Sequence, residues 1–130
     1  MGKAEHPAKG AEDWTAAFFR DADTLHLPTL MNWFDDTIDL RLGNMPSITG
    51  REGVRAAFEQ FWSTLSGMSH ECLQLVVDGD RAFQASIVTY TRLDARTVSI
   101  PVASHLRRVD GSRLDRLWIY IDLAPLYAEE

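Results

Sequence analysis

The sequence predicts an α+β domain in which short helices come first and an antiparallel sheet follows. Three observations carry that prediction. Apolar residues recur three and four apart up to Leu65, and beyond Gly67 the period becomes two. Three hairpin-type breaks, Asp78-Gly79-Asp80, Leu93-Asp94-Ala95-Arg96 and Asp110-Gly111-Ser112, then cut the remainder into four runs. At 130 residues the chain makes one domain, long enough to bury a core without staples.

The elements follow in order. Residues 1–10 are polar and carry Pro7 and Gly10, so they read as a flexible tail before a domain spanning 11–130. From Asp13, Trp14, Ala17 and Phe18 share one helical face, which ends near Asp21-Ala22-Asp23-Thr24. A second helix tolerates Pro28 in its first turn and spaces Leu27, Leu30, Met31 and Phe34 three and four apart. Residues 37–42 alternate as a strand that Gly43-Asn44-Met45-Pro46 breaks. Thr49-Gly50-Arg51-Glu52 fits a capping box, in which hydroxyl and carboxylate satisfy free backbone N–H groups reciprocally. The helix behind it carries an apolar stripe of Val54, Ala57, Phe58, Phe61, Trp62 and Leu65, and Ser66-Gly67 stops it. Residues 70–77, 81–93, 97–109 and 114–123 are the four strands of an antiparallel meander. Pro101 cannot donate to a ladder, which predicts a bulge or an edge position there.

Composition narrows the function classes. Thirteen basic against 19 acidic residues leave a net charge of −6 with no basic stripe, which argues against nucleic acid. The one adjacent basic pair, Arg107-Arg108, suits a solvated strand end. No apolar run is long enough for a membrane helix, and the first residues lack a signal core, so cytoplasmic residence is expected. The single Cys72 excludes an intramolecular disulfide and reads as a buried, inert thiol. The four histidines lack zinc-type spacing, and no phosphate loop, nucleophile elbow or Cys/His pair is visible, so neither metal nor cofactor is expected.

The run Phe34-Asp35-Asp36-Thr37-Ile38-Asp39-Leu40-Arg41-Leu42, then Thr49-Gly50-Arg51-Glu52-Gly53-Val54, and finally Trp118-Ile119-Tyr120-Ile121-Asp122-Leu123 carry a family likeness. In this order the chain resembles the SnoaL-like branch of the nuclear-transport-factor and ketosteroid-isomerase superfamily. The resemblance implies a cystatin-like cone: three N-terminal helices packed on a strongly curved, mainly antiparallel sheet, in the order α-α-β-α-β-β-β-β. It also implies a pocket inside the cone. Arg41 falls where ketosteroid isomerase carries its general base, and Ser104 where that family carries an acid, so the isomerase carboxylates are missing. The limonene-epoxide-hydrolase branch places an Asp before its C-terminal Tyr-x-Asp, whereas here Leu117-Trp118-Ile119 precede Tyr120-Ile121-Asp122. Scytalone dehydratase and hexachlorocyclohexane dehydrochlorinase are more similar: they carry an Asp after the first helix and a His opening the strand after the third. Asp23 and His70 are the matching positions.

The chemistry of that pair is coherent. Histidine titrates near pH 6.5 and can take a proton at neutral pH, and a neighbouring carboxylate fixes its tautomer and stabilises the imidazolium. The expected reaction is proton abstraction beside an activating group, leading to elimination, isomerisation or cyclisation, with Arg41 stabilising developing negative charge. Trp33, Phe58, Trp62, Tyr90, Ser104 and Ile119 are the expected substrate-binding residues around a small apolar or polycyclic molecule, with Tyr120 a further polar candidate. Each catalytic candidate has a structural alternative: Asp23 as a turn or cap acceptor, His70 as a satisfied strand histidine, Arg41 as an ion-pair partner. A ligand-binding or dimer-forming module without catalysis, and an epoxide-hydrolase-like hydrolase, are the competing functions. Asp35-Asp36 suits the turn before the first strand, and alternation from Ser104 turns His105 away from the pocket. Trp118 and Tyr120 are too bulky to be left wet on a sheet face, which predicts a homodimer.

Overall fold

The computed structural model describes residues 9–128, with side chains from Trp14 onward. Its elements are α1 (Lys9–Asp23), α2 (Leu27–Met31), β1 (Phe34–Leu42), β2 (Ile48–Thr49), α3 (Arg51–Trp62), β3 (Leu65–Asp78), β4 (Arg81–Arg92), β5 (Thr97–Val109), β6 (Arg113–Tyr120) and α4 (Ala124–Tyr127). The predicted order of helices and long strands is present, with two short additions, β2 and α4. The first helix begins at Lys9 rather than Asp13. Most of the expected tail, His6 included, lies outside the described residues.

One sheet runs in the order β2-β1-β6-β5-β4-β3. All neighbours are antiparallel except β1 and β6, which pair in parallel with Leu40 opposite Leu117 and Leu42 opposite Ile119. Strands β3, β4 and β5 have 14, 12 and 13 residues, well beyond ordinary strand length, so accumulated twist curls them around the helices. Bulges between Cys72 and Gln74 and between Arg107 and Arg108 sharpen the bend. Pro101 sits opposite Ile87 on β4, at a level beyond the end of the β6 pairing, which stops at Ala103 opposite Tyr120. Its missing N–H therefore faces a local sheet edge, as the sequence required.

The core lies between the inner sheet face and the helices. Val54, Phe58 and Trp62 of α3 are buried there beside Ile38, Leu40, Val88, Leu106 and Leu117. Arg51 ties the layer together: its guanidinium donates to the carbonyls of Met31 (2.8 Å) and Phe34 (2.6 Å). The capping box does not form. Gly50, not Thr49, is the N-cap of α3, and no side chain caps it. Thr49 is committed to β2 opposite Asp39, and Gly50 turns the chain into the helix at φ +98°, a conformation that glycine alone adopts cheaply.

Two surface expectations change. Cys72 is exposed on β3 rather than buried: it keeps the register of His70, opposite Ser86, but borders an open groove. Arg107 is held by Asp115 at 2.9 and 3.1 Å, and Arg108 by Asp80 at 3.0–3.1 Å, so neither cation is free in solvent. Among the described residues, no helix is long and apolar enough to cross a membrane.

Candidate active site

A cavity opens between α1, α3 and the inner sheet face, with about 460 Å³ of unfilled space, its mouth included. Five of the six residues expected to bind substrate border it: Phe58, Trp62, Tyr90, Ser104 and Ile119. The sixth, Trp33, does not. Its ring packs edge-on against Phe18 at 5.5 Å and its indole N–H donates to Asp21 at 2.9 Å, which draws it behind α1.

Asp23 and His70 meet at the cavity wall. Asp23 is the last residue of α1, whose buried face (Phe18, Phe19, Ala22) seats the helix on the sheet. His70 stands on β3 with its ring against Phe19, centroids 4.8 Å apart. The carboxylate engages the histidine twice. Asp23 Oδ1 lies 2.6 Å from His70 Nδ1, and Oδ2 accepts the His70 backbone N–H at 3.1 Å. An ionised carboxylate only accepts hydrogen bonds, so Nδ1 carries a proton, and in the neutral form of the ring Nε2 is the nitrogen with the lone pair. His70 borders both the cavity and an open groove that Asp23, Arg20 and buried Gln84 also line, so the dyad stands between apolar interior and solvent.

Arg41 is not part of this site. Its side chain is half-exposed on the outer sheet face, 4.2 Å from the Trp118 ring centroid and 3.8 Å from Asp39. The reason is register: β1 turns Ile38, Leu40 and Leu42 inward, and a shift of one residue moves every side chain to the other face. Leu42 occupies the cavity position that Arg41 was expected to fill. Tyr120 is likewise exposed on the outer face. Among the described residues, no Lys or Arg side chain borders the cavity.

The remaining polar groups of the wall are hydroxyls and one indole. Burial, reinforced by Tyr127 and Asp23, pushes the Tyr90 phenol well above its usual range, so it is a neutral donor at physiological pH. Ser104 is almost fully buried at the far side. Phe61 and Met68 also border the cavity. Phe61 belongs to the α3 stripe already visible in the sequence, whereas Met68 follows a glycine in a region without clear alternation. Among the described residues, no group of three or more His, Cys, Asp or Glu side chains could hold a metal ion.

A curled sheet closed by helices around an apolar cavity, with a histidine–carboxylate pair beside it, defines a cone-shaped α+β domain with an internal pocket. The chain belongs to the SnoaL-like domain family, which matches residues 11–115. Solved structures of the same shape include a putative SnoaL-like polyketide cyclase from Shewanella denitrificans, with a TM-score of 0.77 at 9% identity, covering 89% of this chain and 93% of that one. SalBIII, an epoxide hydrolase/cyclase-like enzyme of pyran ring formation in salinomycin, is similar with a TM-score of 0.75 at 14% identity, covering 88% and 92%. An epoxide hydrolase of the limonene-epoxide-hydrolase-like type from M. tuberculosis is similar with a TM-score of 0.73 at 14% identity, covering 91% and 86%. No curated protein sequence matches the chain.

Proposed function

We propose that this protein is a cofactor-independent lyase, isomerase or cyclase that removes a proton from a small apolar molecule held in the cone. The observation that carries the reading is the two-point grip of Asp23 on His70, a residue that borders an apolar cavity; with Nδ1 engaged, Nε2 is the nitrogen available as base. In the reaction, Nε2 accepts a proton from a C–H bond beside an electron-withdrawing group. The electron pair left on carbon delocalises into that group, and the resulting imidazolium is stabilised by the Asp23 carboxylate. Collapse of the anion then expels a leaving group, closes a ring, or recovers the proton at another carbon. Apolar walls raise the effect of each remaining charge and dipole by excluding water.

The reading is testable before the natural substrate is known. Small bicyclic ketones such as 1-indanone should exchange α-hydrogen for deuterium in D₂O faster with the protein than without it, read by proton NMR. His70→Ala should remove about 10²–10⁴ of that acceleration, the usual scale of general-base catalysis. Equal exchange with the wild type and His70→Ala would overturn the reading.

A further inference from the structure

The cavity wall carries a hydrogen-bond donor that no described residue uses. Four tryptophans are present, and their indole N–H groups have different fates. Those of Trp33 and Trp118 donate to Asp21 and Asp39, at 2.9 and 3.0 Å. Trp14 has an unpaired N–H but lies under the Arg108 guanidinium, 4.5 Å from its ring centroid, and does not border the cavity. Trp62 borders the cavity, is 7% exposed, and its Nε1–H has no acceptor among the described residues. A buried N–H without a partner is costly, and few survive without a use.

Tyr90 adds a second donor on the same wall. It is 3% exposed and borders the cavity, and burial raises its phenol pKa, so the hydroxyl stays protonated as a donor. The adjoining Phe61 packs edge-on to its ring at 5.9 Å. Tyr90 lies two residues along β4 from Val88, the cross-strand partner of His70. Diagonal neighbours of this kind on one sheet face stand about 7–8 Å apart, a span that one small molecule bridges.

We infer that Trp62 and Tyr90 form a donor pair that holds a neutral acceptor oxygen of the ligand, so the cavity selects an apolar molecule bearing a carbonyl-type oxygen over both the hydrocarbon and the carboxylate of the same shape. The inference deepens the proposed function and rests on it for the orientation of the oxygen toward His70. The charge preference follows from the wall, where none of the described residues supplies a Lys or Arg side chain to repay the desolvation of an anion. The two donors would also face the oxygen on which negative charge accumulates when His70 removes the neighbouring proton.

The test compares 1-indanone, indane and indane-1-carboxylate as ligands, by calorimetry or ligand-observed NMR. The wild type should bind the ketone about three- to tenfold more tightly than the hydrocarbon, the scale of one or two net hydrogen bonds. The carboxylate should bind more weakly than either. Trp62→Phe and Tyr90→Phe should each reduce the ketone-to-hydrocarbon ratio while leaving indane binding in place. In wild-type protein labelled with ¹⁵N-tryptophan, one indole N–H resonance should shift downfield with indanone but not with indane, and Trp62→Phe should delete that resonance. Equal affinity for ketone and hydrocarbon, no binding of either, or an unmoved indole resonance would overturn the inference. A preserved ketone preference in His70→Ala, together with unchanged α-exchange, would instead sink the dyad reading and leave the donor pair standing.

Discussion

Asp23 performs two tasks with one carboxylate, and they separate under mutation. One oxygen accepts the His70 backbone N–H and the other fixes the imidazole. Asp23→Ala should lower the α-exchange rate by about 10²–10⁴, because the imidazolium loses its counter-charge and the ring its tautomer. Its stability cost should be about 1–3 kcal/mol, set by one backbone donor left without its partner. Kinetics and thermal denaturation on the same variant check both numbers. Arg41→Ala should leave the exchange rate unchanged, since Arg41 stacks on Trp118 outside the cone; a large loss would return it to the site. The pairing of Asp23 with His70 was legible from their places in the element order. The side of the sheet taken by Arg41 was not, because β1 is bounded by acidic residues that blur its alternation. Asp35 and Asp36 sit at its start, and Asp39 shares the outer face with Arg41.

Long, strongly periodic elements could be read from the sequence, and short ones could not. The α3 stripe through Trp62 and the bodies of the four long strands follow from period 3.6 and period 2, whereas Leu65, expected to close the helix, opens β3. The two-residue β2 and four-residue α4 have no local signal, since each exists through distant partners: β2 through Asp39 and Leu40, α4 through buried Leu126. Arg92 adds to the latter by donating to the carbonyls of Leu126 and Ala128. The Thr49 capping box failed for the same reason, as pairing to β1 removed Thr49 from the helix terminus. Gly50 carries the consequence. Gly50→Ala should destabilise the fold by about 1–3 kcal/mol, because φ +98° is strained for any residue with a Cβ. Chemical denaturation measures it; an unchanged midpoint would show that the turn into α3 relaxes freely.

At the scale of the whole molecule, the outer sheet face is unusually apolar for a surface. Val76, Phe83 and Tyr120 are more than half exposed, and Phe83, His105, Trp118 and Arg41 line up across four strands in register. We propose that a second copy covers this face. Sedimentation at tens of micromolar should show a dimer, and Phe83→Glu should yield a folded monomer; a monomeric wild type would refute the proposal. His105 sits in the middle of that row, stacked on Phe83 at 4.1 Å and edge-on to Trp118 at 5.5 Å. Burial, with Arg116, Arg81 and Arg107 adding repulsion, holds its pKa below the usual value of 6.5. The unfolded chain therefore binds a proton more readily, so this histidine's contribution is complete above about pH 6.5 and declines on acidification, by at most about 1.4 kcal/mol per pH unit. His105→Gln should flatten that part of the stability–pH curve relative to the wild type. An identical acid-side slope in both proteins would contradict the assignment.

The claim on which the catalytic reading turns is that Asp23 presents His70 to the cavity with Nε2 as the bare nitrogen. Long-range ¹H–¹⁵N NMR of the ligand-free protein measures this tautomer without any substrate. The neutral His70 ring should show a protonated Nδ1 and a pyridine-like Nε2, and Asp23→Ala should abolish the bias. A ring protonated at Nε2, or one averaged between tautomers in the wild type, would leave His70 without the free base that proton abstraction requires.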